Sequence, residues 1–262
     1  MEQKKEPIVS ISDLHLSYGS KDVLNGINLE FYKGQIVGYI GPNGSGKSTT
    51  VKILLGILTK YRGTIKIFGE DISSGSIEYK KRLGYVPETA EIYDSLTSYE
   101  YLTFITDLYN VPFDTARKRI FRLMSLFEIQ DVLYSRISSY SKGMKQKVLI
   151  IASLIHNPDI LFLDEPLSGL DANSVMVFKE VLEGLAAQGK TIFYSSHIMD
   201  VVEKLSNRIV LINGGQIVAD GTFEELKNKS KEGSLEGIFN QLTGFNRHKE
   251  IAENFIAALD EV

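Results

Sequence analysis

The chain of 262 residues has no cysteine. That excludes disulfides, thiolate metal sites and a cysteine nucleophile, and it fits a reducing compartment. A long apolar run is also missing. The best stretch, Val148 to Ile155, has the length of a buried helix face, well short of the about 18 residues that a membrane span needs. The chain is therefore not expected to cross a bilayer by itself. There is no excess of positive charge: 29 Lys and Arg stand against 33 Asp and Glu, a formal net charge of −4. Without a basic field to attract polyanions, no nucleic-acid partner is expected. Met1 to Pro7 is polar and mixed in charge with no apolar segment behind it, so no secretory signal is expected. What is present is ordinary for a globular protein, 43% hydrophobic and 24% charged. It suffices to bury one large α/β domain, or one with a subdomain inserted.

Strand patterns come first. Ile8 to Ile11 and Leu14 to Tyr18 alternate, Ile27 to Tyr32 follows, and Gln35 to Ile40 is an apolar run between glycines, as in a buried strand. A Gly-rich turn then leads into a helix from Lys47 to about Leu58. From about Ser98 to Ile155 the apolar residues recur at helical spacing (Tyr101, Phe104, Ile105, Leu108; Ile120, Leu123, Met124, Phe127), which reads as a helical subdomain, roughly residues 90–156, inserted in the α/β core. Strands return at Ile160–Leu163 and Thr191–Tyr194 with a helix between them. Arg208 to Ile212 and Gln216 to Ala219 are joined by Asn213-Gly214-Gly215, a hairpin signal. Beyond Thr222 the chain reads as helical and charged. Residues 245–262 read as an amphipathic helical tail in which Ile251, Phe255, Leu259 and Val262 share a face, expected to pack on its own domain, with a dimer or partner contact as the alternative.

Gly41-Pro42-Asn43-Gly44-Ser45-Gly46-Lys47-Ser48-Thr49 fits the phosphate-loop pattern and stands between a buried strand and a helix start, where the mechanism needs it. Glycines let backbone N–H groups converge on phosphate oxygens, and the helix N-terminus adds its positive dipole end. Lys47 can reach the outer phosphates, and the Ser48 hydroxyl is a Mg²⁺ ligand candidate. With no internal repeat, the chain holds one such unit. Asp159 to Asp164 supplies the second part: a buried strand ending in Asp164, which can hold Mg²⁺, with Glu165 next to it as the candidate general base. Both motifs are expected at one carboxyl edge, on neighbouring strands of a parallel sheet. His197, after the strand that ends at Tyr194, should reach the same edge and the γ-phosphate.

These motifs together resemble the nucleotide-binding domain of ABC transporters, over residues 1–244. Ser168-Gly169-Leu170-Asp171 resembles that family's D-loop, Ser196-His197 its switch histidine, and Tyr18 the aromatic that stacks on adenine. Tyr140 to Lys147, with Ser141 and Gly143 retained 23 residues before Asp164, is similar to the family signature. The resemblance implies a P-loop α/β core with an antiparallel β subdomain, ATP and Mg²⁺ as cofactors, and ATPase activity. It further implies that Ser141 and Gly143 face the phosphate loop of a second ATP-binding subunit, a copy of this chain or a close paralogue, so that two nucleotides lie sandwiched in a head-to-tail dimer. A separate transmembrane permease subunit would hold the chain on the inner face of the cell membrane. Glu88 stands where the family has glutamine, at the hinge of the helical subdomain, and still offers Mg²⁺ an oxygen. Lys142 and Met144 replace Gly and Gln in the signature. These changes and the ending Ser234 to Gly244 resemble the bacterial branch that exports drugs, antimicrobial peptides, ions or polymers. A soluble ABC ATPase of DNA repair, chromosome organisation or translation is the rival, against which stand the acidic charge and the lack of zinc-binding cysteines, a long coiled-coil insertion or a second cassette. An ATP-binding regulator without hydrolysis is a third reading, opposed by Asp164, Glu165 and His197.

Overall fold

The computed structural model describes residues 6–230, 232–244 and 248–260. The polar start Met1 to Lys5 and, in the tail, Phe245 and Val262 lie outside them. Two sheets carry the fold. The smaller, antiparallel one is built from β1 (Val9–Tyr18), β2 (Lys21–Phe31), β4 (Arg62–Ile67) and β5 (Glu70–Asp71), in the order β2-β1-β4-β5. The two expected opening segments are one strand, β1, bent by a register shift between Ile11 and Leu14 where Asp13 takes φ 51°.

The larger sheet comprises β3 (Ile36–Ile40), β6 (Leu83–Val86), β7 (Ile160–Asp164), β8 (Thr191–Ser195), β9 (Arg208–Asn213) and β10 (Gln216–Gly221), in the order β10-β9-β3-β8-β7-β6. All neighbours are parallel except the β9–β10 hairpin, where Gly214 and Gly215 adopt the positive φ values (55° and 77°) that a tight turn requires.

Strict alternation along the parallel strands gives this sheet two apolar faces. Ile36, Ile40, Leu161, Leu163, Ile192 and Tyr194 point to one core, beneath the helices. Val37, Tyr39, Ile160, Phe162 and Phe193 point to the other, shared with the antiparallel sheet and α1 (Lys47–Leu54). A strand covered on both sides reads as an uninterrupted hydrophobic run. The helix expected to reach Leu58 stops at Leu54, and the chain leaves it through Gly56 at φ 64°.

Between β6 and β7 lie α2 (Ser98–Leu108), α3 (Phe113–Leu126) and α4 (Lys142–Leu154). Thr97 and Glu100 close a reciprocal capping box at the start of α2. Tyr101, Ile120 and Met124 are buried as the periodicity predicts, whereas Phe104 and Leu108 stay exposed. The helix between β7 and β8 is α5 (Ala172–Ala187), capped by Asp171, and α6 (Met199–Leu205) follows β8. Three helices end the chain: α7 (Phe223–Ser230), α8 (Leu235–Thr243) and α9 (His248–Asp260). On α9, Phe255, Ile256 and Leu259 are exposed. The expected packing of the tail on its own domain is therefore not what the structure has at these positions.

Candidate functional site

The loop after β3 is shaped at Gly41 and Gly46 by contacts that leave no room for a side chain. A Cβ on Gly41 would run into the Ile212 carbonyl, and one on Gly46 into Leu24 and the Val23 carbonyl, 3.1 Å away. Gly46 also holds φ 110°, which an L side chain resists. Gly44, at φ 77°, has open space where its side chain would be. The Ser45 hydroxyl is buried and without a hydrogen-bond partner among the described residues, while Thr50 returns a hydrogen bond to the Gly46 carbonyl at 2.9 Å. Lys47 closes the loop from inside, its ammonium donating to the carbonyls of Gly41 (2.7 Å) and Pro42 (3.1 Å). Burial pulls the Lys47 pKa below its ordinary value, opposed by the carboxylates of Asp164, Glu165 and Glu88. The Lys47 ammonium at the start of a helix suits an anion.

One cleft of about 780 Å³ collects these groups. Its walls are Tyr18, Lys21, Val23, Asn43, Gly44, Gly46, Lys47, Ser48, Thr49, Glu88, Asp164, Glu165 and His197. Tyr18, at the end of β1, is half exposed at the rim. Lys21 and Val23 were not expected; they enter because β2 starts directly after the Tyr18 turn. β3 and β7 are not neighbours, contrary to the sequence expectation: β8 runs between them, and this is what delivers His197 to the middle of the edge. Asp164, nearly fully buried, ends β7 opposite Ser195. Glu88 follows β6, the next strand out.

Glu165 is unusual in its backbone. It sits at φ 48°, a left-handed conformation that a non-glycine residue holds only when its surroundings fix it. Its N–H continues the ladder to the Ser195 carbonyl at 2.9 Å. One carboxylate oxygen accepts from the His197 N–H at 2.8 Å and faces His197 Nδ1 at 2.7 Å; the other accepts from the Ser196 hydroxyl at 3.0 Å. With Nδ1–H donating to Glu165, the imidazole turns Nε2 outward, and the histidine side chain is 77% exposed.

Ser141 and Gly143 are not among the cleft residues. Ser141 caps α4, accepting from the Met144 N–H at 3.2 Å, and Gly143 packs so closely on the Gly169 carbonyl that a Cβ would collide with it. Lys142 donates to the Ser168 hydroxyl at 2.9 Å, and Lys147 pairs with Asp171 at 3.3 Å. Two hydrogen bonds from Ser174, with Lys147 adding to them, hold the Asp171 carboxyl well below its ordinary pKa. The start of α4 is thus clamped to the segment that follows Glu165.

For a metal, the oxygens that share the cleft are Ser48 Oγ and the carboxylates of Asp164 and Glu88. That hard-donor set suits Mg²⁺, which takes one or two protein carboxylates and completes its shell with phosphate oxygens and water. Among the described residues no cluster of three or more His, Asp or Glu makes a metal cage independent of nucleotide.

The family model for ABC transporters matches residues 24–168, a span that runs from β2 through the phosphate loop, Glu88 and the Ser141 segment to just past Glu165. The chain belongs to the ABC transporter family. Within it the chain is an ATP-binding subunit and an ATPase of the kind whose hydrolysis is coupled to transport. It is 37% identical over 216 residues to an uncharacterized ABC transporter ATP-binding protein of Nostoc sp., covering 82% of this chain and 64% of that protein. It is 33% identical over 220 residues to the Nod factor export ATP-binding protein I of Ralstonia nicotianae, covering 84% of this chain and 68% of that protein. Among solved structures, an ATP-binding subunit of an ABC transporter superposes with a TM-score of 0.85 at 30% identity, over 90% of this chain and 99% of the other.

Proposed function

We propose that this ATPase subunit works as a head-to-tail pair that closes on two ATP molecules and reopens on hydrolysis, driving a separate membrane-spanning exporter. The phosphate loop receives the β- and γ-phosphates, with Lys47 moving from the carbonyls of Gly41 and Pro42 to phosphate oxygens. Tyr18 stacks on the adenine. Ser48 and Asp164 hold Mg²⁺, with Glu88 as a further oxygen; bound there, the ion neutralises charge on the phosphates and orients them. Glu165 accepts a proton from water as its oxygen attacks the γ-phosphorus and the bond to the β–γ bridging oxygen breaks, leaving ADP and phosphate. His197, oriented by its Nδ1 contact with Glu165, turns Nε2 towards the γ-phosphate. Ser141 and Gly143, remote from their own cleft, contact the nucleotide held by the second subunit. Because such a nucleotide touches two subunits, it binds the closed pair better than the separated chains.

The observation that carries this proposal is the convergence of Lys47, Asp164 and Glu165 at one sheet edge, with the Glu165 carboxylate already held by Ser196 and His197. A membrane partner is supported by the helical insert just beyond Glu88, which presents exposed Tyr93 edge-on to exposed Phe104, ring centroids 6.4 Å apart. Export is supported by Lys142, Met144 and Glu88 in the family motifs and by the likeness to the Nod factor export protein of Ralstonia nicotianae. Placement on the inner face of the cell membrane follows from that partner. Substituting Glu165→Gln is expected to leave ATP binding intact and lower turnover by about 10²–10⁴-fold, the range for loss of a general base. Turnover at the wild-type rate in that variant removes Glu165 from the role.

A further inference from the structure

Gln146 is the one strongly polar side chain buried in the apolar stretch of α4, 1% exposed. A buried amide in such a place needs partners. Its Nε2 donates to the carbonyl of Pro166, the residue that follows Glu165, at 3.0 Å. Gln146 does not line the cleft and cannot touch the reacting atoms.

The turn it holds is the one that sets Glu165. That residue occupies the left-handed region at φ 48°, and Pro166 behind it has no N–H with which to anchor the turn. Hydrogen bonds from three sides tie down this short segment. The Glu165 N–H bonds to Ser195, the Ser168 N–H returns to the Glu165 carbonyl at 3.1 Å, and Gln146 takes the carbonyl between them. The same face of α4 adds Lys142 on Ser168, Gly143 against Gly169 and Lys147 on Asp171. Of the ties from α4, Gln146 is the one that reaches the residue next to the acid.

We infer that Gln146 is a positioning residue for hydrolysis: its amide fixes the turn that aims Glu165, and it joins that turn rigidly to the helix whose first residues are Ser141 and Gly143. A shift of that helix on meeting a nucleotide is then passed directly to the acid. The inference rests on the proposed role of Glu165. A donor is essential to it. Ionised glutamate has the shape of glutamine but no N–H, and methionine has a similar volume but no hydrogen-bonding end.

The test uses the full chain and compares Gln146→Met and Gln146→Glu with wild type, each alone and combined with Glu165→Gln. ATP affinity and KM are expected to stay within about twofold while kcat falls about tenfold or more, since loss of positioning acts on the chemical step. In the Glu165→Gln background, adding Gln146→Met is expected to change the residual rate by less than about twofold, because residues that act through one group are not additive. Wild-type kcat in both Gln146 variants overturns the inference, as does an equal fold-loss in both backgrounds or failure of both variants to fold, each of which assigns Gln146 to stability alone. Were Glu165→Gln itself to turn over normally, the proposed base would fall too; normal turnover confined to the Gln146 variants removes only this inference.

Discussion

Two histidines show how differently one residue type is used in this chain. His197 is exposed and holds Glu165 through Nδ1, so its value lies in what Nε2 can reach. His156, at the end of the helical insert, is enclosed. Its ring stacks on Tyr109 with centroids 3.7 Å apart, and Nε2 donates to the Leu83 carbonyl at 2.9 Å. Burial, the largest influence, pushes the His156 pKa below its ordinary value, with Arg119 and Lys190 acting in the same direction and the hydrogen bonds to Leu83 and Ala152 opposing. In the unfolded chain the imidazole takes up a proton near pH 6.5, in the folded chain only at lower pH. The unfolded state therefore binds more protons in that window, and stability falls as pH drops below about 6.5 towards the folded value, with no contribution above it. Urea midpoints at pH 7.5 and pH 5.5 check this. The wild-type midpoint is expected to fall more between the two than that of His156→Gln, and equal falls would exclude the effect.

Strands and helices differ in how plainly the sequence announced them. β3, β7 and β8 were legible because a strand buried on both faces is an unbroken apolar run, and the phosphate loop because its residues are contiguous. β6 passed unseen. Four residues, one of them Gly84, carry no periodicity, and the reason for the glycine is nonlocal: a Cβ there would strike the Ser153 carbonyl on α4 and crowd Leu161, 2.7 Å away. Gly84→Val is accordingly expected to lose about 1–3 kcal/mol, the usual range for overpacking. A urea midpoint equal to wild type would show that α4 can yield. The site divides in the same way. Lys47, Ser48, Asp164, Glu165 and His197 follow from local motifs. Lys21 and Val23 reach the cleft from the other sheet, and the place of β8 between β3 and β7 is a matter of strand order, which no local pattern encodes. Gln146 was hidden for a related reason: a glutamine in an apolar helix reads as an interruption until its partner, the Pro166 carbonyl 20 residues on, is seen.

At the scale of the whole molecule the chain holds the parts of an ATPase but does not bring them all to one place. Lys47, Asp164, Glu165 and His197 share a cleft, while Ser141 and Gly143, at the start of α4, stand outside it. In the proposed head-to-tail pair, each chain would offer that segment to the nucleotide held by the other. The tail helix α9, with Phe255, Ile256 and Leu259 exposed, puts none of its described residues in the lining of the cleft. The most direct measurement is sedimentation of the Glu165→Gln protein with ATP and Mg²⁺, together with a count of retained nucleotide. A dimer is expected that forms with ATP, holds one ATP per chain and disappears with ADP. A species that stays monomeric while saturated with ATP would contradict it.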